Sequence, residues 1–148
     1  IDIAGVAVVR IEQVSIVTPT GDGVRLSGGA SEVEVLSSLL DIRGGIGLNV
    51  ADDSQVGFFS DYNLFHVEGT GRIAHWVFDY TDILDWQADL ARFDLHSSGT
   101  TVVNPGLAEP VFAGKARGDL TLLPQVAGQR VASYGAEAGD PAALLDRA

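Results

Sequence analysis

The chain has no cysteine and no methionine among its 148 residues, and only 7% of them are aromatic. The lack of cysteine excludes disulfides, cysteine-based zinc sites and a thiol nucleophile, and it leaves the redox compartment open. No run of about 18 apolar residues is present, so the sequence predicts no transmembrane segment. Because it starts at Ile1 without a methionine, we expect a processed product or a fragment whose upstream part is missing.

Basic residues are scarce as well. The sequence contains nine Lys and Arg residues and 20 Asp and Glu residues, which gives a formal net charge of -11. Such a balance opposes binding to nucleic acid or to anionic lipid. Solubility alone explains an acidic surface, and the alternative is acidic clusters that hold Ca²⁺, whose preferred ligands are carboxylate oxygens. The adjacent Asp52 and Asp53 are the candidates for such a metal site.

What the chain does have is an internal repeat of 22 to 24 residues, carried by short apolar strands and glycine-rich turns. The segment Gly-Val-Arg-Leu at residues 23–26 returns as Gly-Ile-Gly-Leu at 45–48, and a third copy begins at Val56. A unit of this size cannot bury its own apolar face and stacks on its neighbours. The repeat therefore predicts an all-β parallel solenoid of about three coils.

In such a solenoid like residues stack on like in inward ladders, with neighbouring strands about 4.8 Å apart. The alignment of the repeats predicts Val24 under Ile46 and Leu26 under Leu48, both pairs inward. Arg25 then faces solvent. Two strands are expected in each coil.

The second half of the chain resembles the C-terminal region of secreted bacterial right-handed parallel β-helix proteins of the pectate-lyase-like superfamily. The resemblance rests on motifs in a fixed order: Ser-Asp-Tyr-Asn-Leu-Phe (60–65), Gly-x-Ile-x-x-Trp (71–76), Tyr-Thr-x-x-x-x-Trp-Gln (80–87), His-Ser (96–97), Val-Asn-Pro (103–105) and Gly-Asp-Leu-x-Leu-x-Pro (118–124). It implies a right-handed parallel β-helix and a secreted or cell-surface location. The chain departs from the family pattern after residue 124.

Three regions follow from these patterns. Residues 1–76 are expected to form the β-helix coils, and residues 77–125 a C-terminal cap. Within the cap, apolar residues at helical spacing predict a short amphipathic helix over residues 81–91, with Thr81 as its N-cap. Such a helix covers the open end of a solenoid. Residues 126–148, rich in Gly, Ala and Asp, are expected to be a tail or linker.

Candidate functional residues are few. A polysaccharide lyase needs a cation that neutralises the uronate carboxylate and a base that removes the neighbouring proton. Arg25, Arg43 and Asp41 are the candidates for such a catalytic site. Trp76, Tyr80 and Trp86 could form a platform for a sugar ring, although their spacing also fits core packing.

The motifs belong to coil stacking and capping, and no cluster looks catalytic. The sequence therefore favours a structural, adhesive or carbohydrate-binding β-helix protein whose partner is a polysaccharide or cell-surface glycan. One alternative is a polysaccharide lyase or C5-epimerase acting on uronate polymers. A second alternative is a phage tail or receptor-binding solenoid.

Overall fold

The computed structural model describes residues 1–123, so the predicted tail at 126–148 lies outside the described residues. It contains fourteen strands, one α-helix and three short 3-10 helices. The strands are β1 (Asp2–Ala4), β2 (Ala7–Glu12), β3 (Ser15–Thr18), β4 (Val24–Ser27), β5 (Ser31–Leu36), β6 (Leu39–Ile42), β7 (Ile46–Val50), β8 (Phe59–Asp61), β9 (Leu64–Val67), β10 (Arg72–His75), β11 (Asp79–Tyr80), β12 (Ser98–Gly99), β13 (Phe112–Gly114) and β14 (Asp119–Leu122). The helix α1 is Ile83–Leu90, and the 3-10 helices are Asp52–Ser54, Pro105–Ala108 and Lys115–Arg117.

These strands build a parallel β-solenoid of about three coils, which confirms the predicted fold class. Sheet A has the order β1-β4-β7-β10-β11, sheet B the order β2-β5-β8, and sheet C the order β12-β9-β6-β3. Each coil contributes one strand to each of these three sheets, and stacked partners such as Val9 and Val33 or Leu40 and Phe65 pair in parallel. β13 and β14 form a separate antiparallel pair. Within residues 1–123, no helix is long and apolar enough to cross a membrane.

The coil has three sides where the sequence predicted two, because the run from Val33 to Leu40 is two strands with a corner between them. Ser37 takes the left-handed conformation there, with φ 51°, and β5 ends before it. The corresponding corners lie at Gln13, with φ 57°, and at Tyr62, with φ 58°. The same sharp bend therefore recurs in every coil and turns the chain from sheet B into sheet C.

The predicted stacking register is wrong by two residues. Val24 pairs with Leu48 and Leu26 with Val50, where the repeat alignment placed Ile46 and Leu48. Because side chains alternate with a period of two, this shift leaves every residue on its predicted face. Val24 and Leu26 are fully buried and Arg25 between them is exposed, as predicted.

A cap closes the C-terminal end of the solenoid. β11 runs antiparallel to β10 at the end of sheet A, and α1 packs its buried Ile83 and Trp86 against the last coil. The N-cap of α1 is Asp82 and not the predicted Thr81, since the Asp82 side chain accepts a hydrogen bond from Leu84 N at 2.8 Å. Asp82 also accepts one from Val102 N at 2.8 Å, so it joins the helix to the following loop.

After the cap, residues 105–122 return along the outer face of sheet C, and we call this segment the strap. Its residues Ala108, Phe112 and Leu122 pack on Leu39 and Leu64, which point outward from β6 and β9. The strap thus covers apolar side chains that a bare sheet would expose. It also brings the 3-10 helix Lys115–Arg117 beside the second coil.

Candidate functional site on the outer face of sheet C

The outer face of sheet C carries a ladder of polar side chains next to the strap. β6 and β9 stack with Asp41 opposite His66, while their neighbours Leu40 and Phe65 are fully buried in the core. Alternation along both strands therefore aims Asp41 and His66 to the same outer side. Both are nonetheless buried, with 2% and 4% of their surface exposed, because the strap lies over them.

Five ionisable side chains form one connected cluster here. The Lys115 ammonium group donates to the carboxylate of Asp41. His66 Nε2 lies 2.9 Å from Glu68 Oε1, and Arg43 Nη2 lies 3.3 Å from Glu68 Oε2. The hydrogen bond with His66, supported by the charges of Arg43 and Lys115, lowers the pKa of Glu68 below its ordinary value although partial burial opposes this. The cluster therefore holds Glu68 ionised.

Three side chains of the cluster approach the geometry of a metal site. Asp41, His66 and Glu68 each place one ligand atom within 4.8 Å of the others, which is close enough for a shared cation. Lys115 and Arg43, however, already balance the two carboxylates. His66 Nδ1 is buried without a partner, whereas a metal-bound histidine almost always donates its other N–H group to a fixed acceptor. The donor set fits an ion-pair cluster better than a metal centre.

Two clefts flank this cluster along the axis of the solenoid. One, of about 420 Å³, is lined by Val17, Thr18, Pro19, Asp41, Arg43, Lys115 and Ala116. The other, of about 570 Å³, begins at His66 and Glu68 and continues past three threonines, Thr81, Thr100 and Thr101, towards the cap. The first cleft combines the cations Arg43 and Lys115 and the buried carboxylate of Asp41 with an apolar wall.

The predicted site residues are only partly brought together. Asp41 and Arg43 meet in the cluster, but Arg25 lies on sheet A, stacked between Asp2 and Asn49. Asp52 and Asp53 are exposed residues of the 3-10 helix Asp52–Ser54. Among the described residues, the group that approaches metal-ligand geometry is the one around His66 and includes neither of them.

The predicted aromatic platform is buried inside the cap. Trp76, Tyr80 and Trp86 are 6%, 7% and 0% exposed. Tyr80 and Trp86 pack edge to face with ring centroids 5.3 Å apart, and Phe93 packs on both tryptophans. The rings are core residues and leave no face for a sugar.

His66, Glu68 and Lys115 are the site residues that the sequence analysis missed. The repeat could have revealed the first two, because the register in sheet C places them 25 residues after Asp41 and Arg43. Lys115 comes from the strap, which follows no repeat, so its position next to Asp41 had no signal in the sequence.

A second polar network, inside the cap, contains the most recognisable motif residues. Asp94 is fully buried and accepts hydrogen bonds from Ser60 Oγ, Trp86 Nε1, Asn63 Nδ2 and Ser97 Oγ, at 2.6 to 3.0 Å. Burial raises the pKa of Asp94 above its ordinary value, against the effect of these four donors. Solvent does not reach this carboxyl, and the network joins the last coil to the cap.

Asp61 and His96 form the outer margin of that network. Asp61 accepts hydrogen bonds from the backbone N–H groups of Tyr62 and His96, at 2.9 and 2.8 Å. The His96 ring bonds Asp61 through Nδ1 at 2.7 Å and stacks on Tyr62 with centroids 4.9 Å apart. These contacts fix the corner at Tyr62 to the loop that follows the helix.

Comparison of the chain with profiles of known protein families, with curated proteins and with solved structures finds no match.

Proposed function

We propose that this protein is a secreted or cell-surface β-solenoid that binds acidic polysaccharides in the cleft between Arg43 and Lys115. One observation supports this most directly. Although a net charge of -11 opposes binding to a polyanion in general, the fold brings two of the nine basic residues, 72 positions apart in sequence, to the same cleft. The proposed location rests on the resemblance of the cap motifs to those of secreted β-helix proteins.

Arg43 and Lys115 each pair with a carboxylate of the protein and are exposed enough to pair with a carboxylate of a ligand as well. The side chain of Arg43 is 62% exposed and that of Lys115 is 38% exposed. Their internal partners, Glu68 and Asp41, keep them oriented, and a ligand carboxylate can approach from the open side of the cleft. Such charge-assisted hydrogen bonds are stronger than neutral ones, and Arg presents a fork that matches a carboxylate.

The geometry supports binding better than lyase chemistry. A lyase needs a base that reaches the sugar, and His66 is buried with Nε2 occupied by Glu68. The Lys115 amine is engaged by its ion pair with Asp41, so it is not free to take a proton from the sugar. Neither group meets the requirement in the arrangement that the structure shows.

The proposal is tested by titrating the protein with polygalacturonate and alginate, and with neutral dextran, by isothermal calorimetry and affinity electrophoresis. We expect binding to the two uronate polymers that weakens with added salt, and none to dextran. Arg43→Gln should weaken binding roughly tenfold or more, because a hydrogen bond to a charged group contributes about 1.5–3 kcal/mol. Lys115→Gln should act in the same direction.

Arg25→Gln is the matched control, since Arg25 is an exposed arginine on a different sheet. Equal loss in Arg25→Gln and Arg43→Gln would mean non-specific attraction and would refute the site. If neither polygalacturonate nor alginate binds, the proposed function is refuted. Absorbance measured during the same incubations detects unsaturated products, and their formation would show lyase activity instead of binding alone.

A further inference from the structure

The two clefts that flank the ion-pair cluster differ in charge. The first contains two exposed cations, whereas the lining of the second, of about 570 Å³, contains the carboxylates of Glu68 and Glu109. The arginine in that lining, Arg72, is balanced by Asp79, whose Oδ2 lies 3.1 Å from Arg72 Nε. Glu68 is balanced by Arg43, but Glu109 is exposed and forms no ion pair with another described residue. The second cleft therefore carries an unbalanced negative charge.

The second cleft also offers hydroxyl groups. Thr81 in its lining is exposed. Thr101 is half-buried, and its Oγ1 accepts a hydrogen bond from Asn104 N at 2.9 Å, which leaves the hydroxyl proton available to a ligand. Hydroxyl groups both donate and accept hydrogen bonds, as the hydroxyl and N-acetyl groups of sugars do together. The lining of this cleft therefore suits an uncharged sugar unit and opposes a carboxylate.

The two clefts lie on one line along the axis of the solenoid. Pro19, Arg43 and Glu68 directly follow β3, β6 and β9 and occupy the same place in successive coils. Thr101 follows β12, which stacks on β9 at the cap end of sheet C. Successive strands of a sheet are about 4.8 Å apart, which is close to the length of one sugar unit in an extended polysaccharide. A polymer whose uronate pairs with Arg43 therefore presents a neighbouring unit to Glu68 and the second cleft.

We propose that the ligand is a polysaccharide in which a uronate alternates with an uncharged sugar, and that Glu109 selects against polymers in which every unit is a uronate. This inference rests on the function proposed above, because it needs the uronate carboxylate in the cleft between Arg43 and Lys115. The uncharged neighbour then meets the threonine hydroxyl groups. A second uronate would instead bring its carboxylate towards Glu68 and Glu109, and contacts between like charges select against the wrong ligand.

The test compares two sets of oligosaccharides of equal length by isothermal calorimetry at low salt. Hyaluronan oligosaccharides alternate glucuronate with N-acetylglucosamine, and polygalacturonate oligosaccharides carry a carboxylate on every unit. Attraction by charge alone would favour polygalacturonate, which has twice as many carboxylates. We expect the opposite order, with hyaluronan binding more tightly. Arg43→Gln should weaken the binding of both roughly tenfold or more, because both place a carboxylate at Arg43.

Glu109→Gln removes the repelling carboxylate. This variant should bind polygalacturonate roughly threefold more tightly than wild type at low salt, and its affinity for hyaluronan should be unchanged. Glu32→Gln is the matched control, since Glu32 is an exposed glutamate of β5 in sheet B. It removes the same charge away from the cleft and should change neither affinity.

Both glutamates are exposed, and circular dichroism checks that each variant is folded. If polygalacturonate binds wild type as tightly as hyaluronan does, the preference for alternation is overturned while the binding of uronates stands. Equal gains in Glu109→Gln and Glu32→Gln, or no gain in either, would overturn the role of Glu109. If neither ligand binds, the function proposed above fails, and this inference fails with it.

Discussion

Replacing Asn63 by alanine should destabilise the protein far more than the loss of an ordinary asparagine does. The Asn63 side chain is fully buried and makes four hydrogen bonds. Its Oδ1 accepts from Ser38 N at 2.9 Å, and its Nδ2 donates to Val35 O, Ser60 Oγ and Asp94 Oδ1 at 3.0 Å each. One side chain thus joins the second coil, the third coil and the cap.

The magnitude follows from the groups that would be left behind. A buried N–H group without its acceptor, here that of Ser38, costs about 1–3 kcal/mol, and each of the three hydrogen bonds that Asn63 Nδ2 donates contributes about 0.5–1.5 kcal/mol. We therefore expect Asn63→Ala to cost about 4 kcal/mol, a large part of the roughly 5–15 kcal/mol that stabilises a typical domain. For a urea m-value of about 2 kcal/mol/M, the midpoint should fall by about 2 M.

Asn49→Ala provides the matched control. Asn49 is half-buried, and its Nδ2 donates to Asp22 Oδ2 at 2.8 Å. Because this bond to a carboxylate is partly exposed to water, its removal should cost about 1.5 kcal/mol, the lower end of the range for such bonds. Urea unfolding should be followed by tryptophan fluorescence, since Trp76 and Trp86 both lie in the cap, and by far-ultraviolet circular dichroism, which reports on the coils. Equal midpoints for the two variants would show that Asn63 does not join the three parts, and the reasoning would fail.

Two further predictions concern Glu68 and the glycine turns. Contact with His66 lowers the folded-state pKa of Glu68, so Glu68 should contribute to stability above the ordinary glutamate pKa of about 4.3 and lose this contribution as the pH falls through the lower folded-state value. The difference in unfolding free energy between wild type and Glu68→Gln should therefore shrink on acidification. A difference that stays constant with pH would contradict this. Gly45→Ala should destabilise the protein by several kcal/mol, since Gly45 has φ 112° and a Cβ there would overlap the Gly21 carbonyl. Gly29→Ala, at φ 76° with open space around it, should cost only about 1 kcal/mol. Thermal unfolding of the two variants separates backbone strain from steric overlap, and equal losses of stability would refute the role of the close approach.

The fold was largely predictable because stacked coils need similar residues at regular intervals, and this interval is visible in the sequence. Alternation gave the inward and outward faces, and an error of two residues in register did not change them. The third side of the coil was not predictable in the same way. Its corners use left-handed residues of three different types, Gln13, Ser37 and Tyr62, so composition gives no common signal for the bend.

The candidate site was half predictable for the same physical reason. Asp41 and Arg43 were recognised within one turn, and the repeat relates them to His66 and Glu68 in the next coil. The strap obeys no repeat. Its docking depends on apolar contacts with Leu39 and Leu64, which the sequence shows only as part of ordinary strands. A long-range contact of this kind leaves no local pattern to read.

The residues of the sequence motifs and the residues that line the cleft are different sets. Asn63, Trp86 and Ser97 lie in the recognisable motifs, and all three bond to the buried Asp94 that holds the cap on the last coil. Arg43 and Lys115 lie outside every motif. A solenoid needs its cap whatever it binds, so motifs that serve closure carry no information about a ligand. A ligand must therefore be argued from the side chains beside the strap.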